Sequence, residues 1–239
     1  MAYTTIDKPT DYFNTVTWTG NGSSSRNITG VGFQPDWVWG KCRNATVSHA
    51  LYDSVRGGSK LINSNAASAE GTNAALSAFV SDGFSVNSDS YFNLNNNTYV
   101  AWNWLAGGSA SSNSDGSITS SVSANTTAGF SIVSYTGNGT SGATVGHGLG
   151  SAPACYVVKS RDTAYDWRMY HQGIGATKYL NLNQTIASTT ASNAWNNTAP
   201  TSSVFSLGSG STVNQNSDNF IAYCFAEKKG FSKFGSYSS

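Results

Sequence analysis

The feature that most constrains this chain is an internal duplication, in which the same succession of short motifs occurs twice. Residues 12–22 return as 129–139, and residues 35–43 return as 153–161. Further along, residues 60–65 and 98–104 return as 178–183 and 219–225, in the same order and at slightly lengthening spacing. A repeat of this length indicates that a whole small domain has been duplicated, because the turns of a solenoid are much shorter. The sequence therefore predicts a first module over 1–107 and a second over 128–239, joined by a Gly/Ser/Asn/Thr-rich linker over 108–127.

The fold class follows from the composition and the spacing of turn residues. The chain has 239 residues, of which 13% are aromatic and 10% are charged, and Ser, Thr, Asn and Gly carry most of its polarity. Short polar and β-branched side chains favour strands and turns over helices. We expect an all-β chain of two tandem antiparallel β-sandwiches of the jelly-roll or lectin-like kind. In the first module the expected strands are 13–19, 27–33, 36–43, 49–55, 60–65, 78–86 and 98–106, with a helical turn in the alanine-rich stretch 66–76.

Charge and hydropathy exclude several classes of function. A net charge of +1 offers no basic surface for nucleic acid, and no apolar run approaches the ~18 residues that span a membrane. The first residues show no secretory signal, so synthesis in a cytoplasm is expected. Cys42, Cys155 and Cys224 occupy unrelated positions in the two copies, which indicates packing residues and neither disulfides nor a zinc site.

The sequence also predicts that the chain is not an enzyme and holds no cofactor or metal. Glycoside hydrolysis, the obvious activity of a β-sandwich, needs two neighbouring carboxylates. The two glutamates of the chain, Glu70 and Glu227, are far apart in sequence and neither has an acidic neighbour. The three histidines, His49, His147 and His171, form no ligand or triad pattern.

Two kinds of residue are candidates for binding. Lys41 and Arg43 recur as Lys159 and Arg161 at the end of the same strand. These cations either contact an acidic sugar or acidic partner, or are solvated strand ends that prevent aggregation. Aromatic and amide side chains also occur together in polar loops, where they either stack on sugars or plug the sandwich ends. These are Tyr165, Asp166, Trp195 and Asn196.

The last strand and the tail predict contacts beyond one module. Residues 98–104 and 219–225 carry apolar side chains on both faces, so each strand is expected to be central and covered on both sides, or to meet another subunit. Residues 230–237 resemble the opening strand of a third module. Phe231, Phe234 and Tyr237 are therefore expected to form a β-paired assembly strand, on this chain or on a neighbour.

The strings at 32–39, 51–57, 128–137 and 146–149 resemble an uncharacterised repeat module found in virion-associated proteins of marine bacteriophages, such as tail fibres and appendages. That family is similar to concanavalin A-like lectin/glucanase sandwiches and has no established catalytic residues. The resemblance implies a virion structural protein made in the host cytoplasm, a fibre, spike or capsid decoration, whose partners are other virion proteins and copies of itself. A carbohydrate-binding adhesin for host surface polysaccharide is the alternative, and a glycan depolymerase is disfavoured by the missing carboxylate pair.

Overall fold

A computed structural model describes residues 4–237, and its regular structure is almost all antiparallel strand. The all-β sandwich prediction is confirmed. The first module contains β1 (Phe13–Thr19), β2 (Arg26–Thr29), β3 (Trp37–Cys42), β4 (Ala50–Asp53), β5 (Lys60–Asn63), β6 (Gly71–Thr72), β7 (Leu76–Val80), β8 (Gly83–Val86) and β9 (Thr98–Trp104).

The second module repeats this series without a counterpart of β7 and adds two strands at its start. It contains β10 (Ser111–Asn113), β11 (Ser120–Asn125), β12 (Phe130–Thr136), β13 (Thr144–Gly146), β14 (Cys155–Ser160), β15 (Arg168–His171), β16 (Lys178–Asn181), β17 (Thr189–Thr190), β18 (Val204–Ser206) and β19 (Asn219–Phe225). Three short helical turns complete the chain, a 3-10 turn at Pro9–Asp11, α1 (Ser192–Trp195) and α2 (Ser211–Asn214).

Sheet topology confirms that the two modules are copies. The large sheet of the first module has the order β1-β9-β3-β4-β5-β6, and the second has β12-β19-β14-β15-β16-β17 in the same places. The small sheets also correspond, because β2 pairs with β8 and β13 pairs with β18. Each large sheet packs on its own small sheet around a separate apolar core. Each copy is therefore a sandwich with a core of its own.

The predicted linker is part of the second sandwich. Within residues 108–127, β10 pairs with β11, and β11 pairs with β12. Ile118 and Val122, which alternate with serines, bury their side chains in the core of the second module. Alternating apolar residues at a sheet edge gain more by pairing than by remaining solvated. The segment therefore extends the second large sheet to eight strands.

Two other expectations about local structure are corrected. Residues 78–86 form a hairpin of two strands because Gly83, at φ +149°, turns the chain after Asp82. The stretch 66–76 contains no helix; it holds β6 and the start of β7. Its alanines favour helix, but the Glu70 N–H donates to the carbonyl of Arg161 in the other module, which fixes the segment in an extended path.

The repeated Thr-Gly-Asn-Gly turn is built identically in both modules. Gly22 and Gly139 adopt φ values of +70° and +68°, which suit glycine. Each of the two donates its N–H to the carbonyl of an asparagine in a distant loop, Asn93 in the first module and Asn214 in the second. The side chains of these asparagines also accept the N–H of the turn's own asparagine. The motif recurs because it anchors this loop in each copy.

The predicted C-terminal strand does not form. Residues 230–237 contain no strand, and the tail makes a single bridge between Lys228 and Ser232. Phe231 and Phe234 instead pack on aromatic rings of the body, at centroid distances of 6.2 Å from Tyr12 and 5.9 Å from Phe225. Tyr237 is 94% exposed. These ring contacts shield the two phenylalanine side chains from water, so the tail is held without strand pairing.

Between residues 4 and 237, no helix has the length and apolar character needed to cross a membrane.

Candidate functional site

The two sandwiches meet face to face through a third apolar core, here called the seam. It is formed by Trp37, Leu51, Ile62 and Ala106 of the first module and by Phe130, Ile132, Val157, Trp167, Ile221 and Tyr223 of the second. The indole of Trp37 lies at its centre, with ring centroids 4.3 Å from Tyr223, 4.4 Å from Trp104 and 5.6 Å from Phe130. Such offset aromatic contacts add to the free energy of area burial.

Strand alternation explains why the seam exists. Phe220, Ala222 and Cys224 of β19 point into the core of the second module, while Ile221 and Tyr223 point into the seam. The prediction that this strand is central and covered on both sides is confirmed. Its second cover is the sister module of the same chain, so no neighbouring subunit is needed at this position.

A buried charge network closes one end of the seam. Arg56 donates from Nε to Asp53 and from Nη1 to the Glu70 carboxylate, whose Oε2 lies at 3.1 Å. Its remaining N–H groups bond to the carbonyls of Leu51 and Lys60 and to the Tyr223 hydroxyl. The Tyr223 hydroxyl donates to Asp53 Oδ2 at 2.7 Å. Every donor of the buried guanidinium is used, which is the condition under which a buried charge is tolerated.

Glu70 links this network to the second module. Arg161 grips its carboxylate with two bonds, Nε to Oε2 at 2.9 Å and Nη2 to Oε1 at 3.0 Å. Burial by itself would raise the pKa of Glu70, but the bonds to Arg161 and the charge of Arg56 outweigh it and lower that pKa. Burial by itself would lower the pKa of Arg56, but the charges of Asp53, Tyr223 and Glu70 and the hydrogen bond to Asp53 together outweigh it and raise that pKa. Glu70 and Arg56 are therefore both charged at neutral pH.

An aromatic cavity of about 330 Å³ lies at a second border of the seam. Phe13, Trp104, Phe130 and Phe225 form its wall, and the tail residues Phe231 and Phe234 close it. Ser232 holds the tail in place by donating its hydroxyl to the carbonyl of Ala226. The tail thus covers apolar surface that the two modules leave between them.

The opposite end of the seam is an open cleft of about 290 Å³. Trp39, His49 and Asn65 of the first module face residues 182–185 of the second across it. The Trp39 indole N–H donates to His49 Nδ1 at 3.2 Å. Burial and the charge of Lys41 lower the pKa of His49, so its ring is neutral at pH 7 and its proton resides on Nε2.

The predicted cations behave differently in the two modules. Lys159 is 0% exposed and donates to the carbonyls of Ser160 and Thr163, and burial lowers its pKa to about 8. Lys41 is half-buried and donates to the carbonyls of Ala45 and Val47. Arg161 holds Glu70, whereas its counterpart Arg43 is exposed and forms no ion pair with the described residues. Among these four cationic residues, Arg43 is the one whose side chain is exposed to solvent.

The predicted glycan loops are structural. Trp195, at the end of α1, is 0% exposed and packs on Tyr156 with ring centroids 4.9 Å apart, so its faces cannot stack on a sugar. Asn196 ends that helix in the left-handed conformation and accepts a hydrogen bond from Ser141. Asp166 accepts from Asn183 at 2.8 Å. Tyr165 is half-buried beside it. The alternative that these aromatics plug the sandwich is the one the geometry supports.

Sequence reasoning did not identify Asp53 and Arg56 as partners of Glu70. The sequence does mark these residues, because the two copies differ there. His171 stands in the place of Asp53, and residues 186–188 stand near the place of Glu70. A charge present in one copy and lost in the other marks a place where the modules make different contacts.

The comparison with known families covers both modules and the seam. A family described as a domain of unknown function, DUF7483, matches residues 8–239. The chain belongs to this family. No curated protein and no solved structure matches it.

Proposed function

We propose that the chain is a structural protein of bacteriophage particles, displayed on the surface as part of a fibre, spike or capsid decoration. The observation that carries the proposal is the seam, which joins two complete sandwiches into one unit through buried aromatic rings. A scaffold must keep its modules in fixed orientation, and a buried aromatic core with a closed ion network does this better than a flexible linker. The resemblance to virion modules supplies the location.

A net charge of only +1 and short polar side chains support the same function. The outer strands are rich in Ser, Thr and Asn and poor in lysine and glutamate. Because salt screens surface ion pairs, a particle in sea salt gains little from them. On this proposal the partners of the chain are further copies of itself and other virion proteins.

The arrangement of carboxylates supports a non-enzymatic function. Asp53 and Glu70 both bind the guanidinium of Arg56, so neither is free to act as one of a glycosidase pair. Asp53 is fully buried and accepts the Tyr223 hydroxyl as well. A carboxylate held in this way stabilises the seam and has no access to a glycosidic bond, so we do not propose the depolymerase.

The proposal is tested on purified particles. Mass spectrometry should detect the chain in gradient-purified virions at a copy number that is a multiple of the particle symmetry. Gold-labelled antibody against the folded chain should then mark one defined site on intact particles. Detection of the chain in lysate only, with none in washed virions, would contradict the structural function.

A further inference from the structure

The two modules present the same sheet face to very different surroundings. In the second module the face carries Ile132, Ser134, Val157, Lys159, Arg161, Ile221 and Tyr223, and the first module packs over it. The matching positions in the first module are Thr15, Thr17, Trp39, Lys41, Arg43, Val100 and Trp102, here called the open face. The strand registers agree, because Trp39 pairs with Trp102 as Val157 pairs with Tyr223. All seven residues of the open face are exposed or half-buried.

The open face contains two indole rings and borders the polar cleft at the end of the seam, because Trp39 belongs to both. Trp39 and Trp102 lie edge to face with centroids 6.3 Å apart, and both are half-buried. Asn183, Gln184 and Thr185 of the second module form the facing wall of the cleft. Indole faces stack on the CH faces of sugar rings, while amides and hydroxyls bond to sugar hydroxyls.

Arg161, the counterpart of Arg43 in the second module, shows which group an arginine binds at this position. Arg161 holds the Glu70 carboxylate by a two-point fork. Arg43 occupies the same position directly after β3, and no acidic side chain among residues 4–237 is ion-paired with Arg43 or Lys41. A second copy of the chain cannot supply the equivalent glutamate, because its own Glu70 is held between Arg56 and Arg161. The exposed guanidinium of Arg43 is therefore open to a carboxylate of another kind of molecule.

We propose that the open face binds a carboxylated polysaccharide, of the uronic or sialic acid class, with Arg43 holding the carboxylate and Trp39 and Trp102 stacking on sugar rings. Trp39 and Arg43 are four residues apart on an extended strand, or about 13 Å. That distance requires an oligosaccharide and excludes a single sugar. His49 Nε2 adds a hydrogen-bond donor at the cleft end. This activity is separate from the structural function and holds whether or not the chain is found in virions.

The test uses the purified chain on an array of uronate-containing, sialylated and neutral polysaccharides, followed by titration with alginate and dextran oligosaccharides. Carboxylated glycans should bind and dextran should not. Arg43→Gln should weaken binding by about tenfold or more, because a charge-assisted fork is lost. Lys8→Gln, which removes an exposed cation elsewhere on the surface, should leave binding unchanged.

A second variant separates stacking from charge. Trp102→Thr should abolish retention on alginate, and adding alginate should shift the indole N–H resonances of Trp39 and Trp102 in NMR spectra. Arg43 is exposed at a strand end, so its variant keeps the fold and the test remains valid if Trp102→Thr is unstable. The proposal is overturned by an array on which no carboxylated glycan binds, by equal binding of dextran, or by binding that Arg43→Gln leaves intact. Self-association lost in Arg43→Gln, without glycan binding, would assign the face to a protein contact and also overturn it.

Discussion

Arg161 of the second module holds Glu70 of the first by two hydrogen bonds of 2.9 and 3.0 Å, and this pair closes one end of the seam. The same position in the first module, Arg43, is exposed. The duplicated sandwiches thus meet in an asymmetric way, sealed at the end where Glu70 lies and open at the end where Trp39 lies. On our two proposals, the scaffold and the binding surface arise from the two ends of one interface.

Arg56→Met should destabilise the chain strongly. The substitution leaves Asp53 buried without its ion partner, for which a loss of about 3–5 kcal/mol in the free energy of unfolding is expected. Lys8→Met is the matched control, because the Lys8–Asp11 pair is exposed and the expected loss is below about 1 kcal/mol. Urea titration of both variants measures the difference. Equal losses in the two would show that the buried network contributes no more than a surface pair.

Glu70 should make the stability of the seam depend on acid. Its pKa is lowered in the folded chain, so its contribution is fully present above the unfolded value of about 4.3 and is lost as pH falls through the folded value. The difference in unfolding free energy between the native chain and Glu70→Gln should therefore be constant from pH 7 to about pH 5. It should shrink at lower pH. A difference that stays the same down to pH 3 would contradict the ion pairing described here.

Sequence reasoning predicted the fold because the fold depends on patterns that both copies share. The bounds of β1 were predicted to the residue, and the two-sided apolar pattern of β9 and β19 correctly indicated central strands. It did not predict the seam, because its contacts join residues that are distant in sequence, such as Glu70 with Arg161 and Asp53 with Tyr223. For Trp195 the sequence left open whether the ring stacks on sugars or plugs the sandwich, for a related reason. An aromatic residue between asparagines suggests an exposed loop, but burial is decided by which sheet the loop crosses.

Lys159 should make stability rise with pH, as Glu70 does, but in an alkaline window. Its folded pKa of about 8 is below the unfolded value of about 10.4, so the unfolded chain binds more protons between these values. The free energy of unfolding of the native chain should therefore rise with pH from about 8 to 10, relative to that of Lys159→Met. Chemical denaturation at a series of pH values measures this. A flat difference across the range would mean that Lys159 is solvated in the folded state.

Removing residues 230–239 should expose the aromatic cavity without unfolding either module. The deletion removes Phe231 and Phe234, which cover Trp104, Phe130 and Phe225. Fluorescence of the dye ANS should increase on the truncated chain, and self-association should appear at high concentration. Replacing Lys233 and Tyr237 by serine, which leaves both phenylalanines in place, should cause neither effect. An unchanged ANS signal in the truncation would contradict the covering role of the tail.

The most direct test is whether the two modules unfold together, since the structural proposal requires the seam to make them one unit. Hydrogen exchange with mass spectrometry along a urea gradient reports on each module separately, through peptides from β3 and β9 and from β12 and β19. We predict one shared midpoint for both sets of peptides, and a lower shared midpoint in Arg56→Met. Two well-separated midpoints in the native chain, with one module unfolding while the other stays protected, would contradict the account.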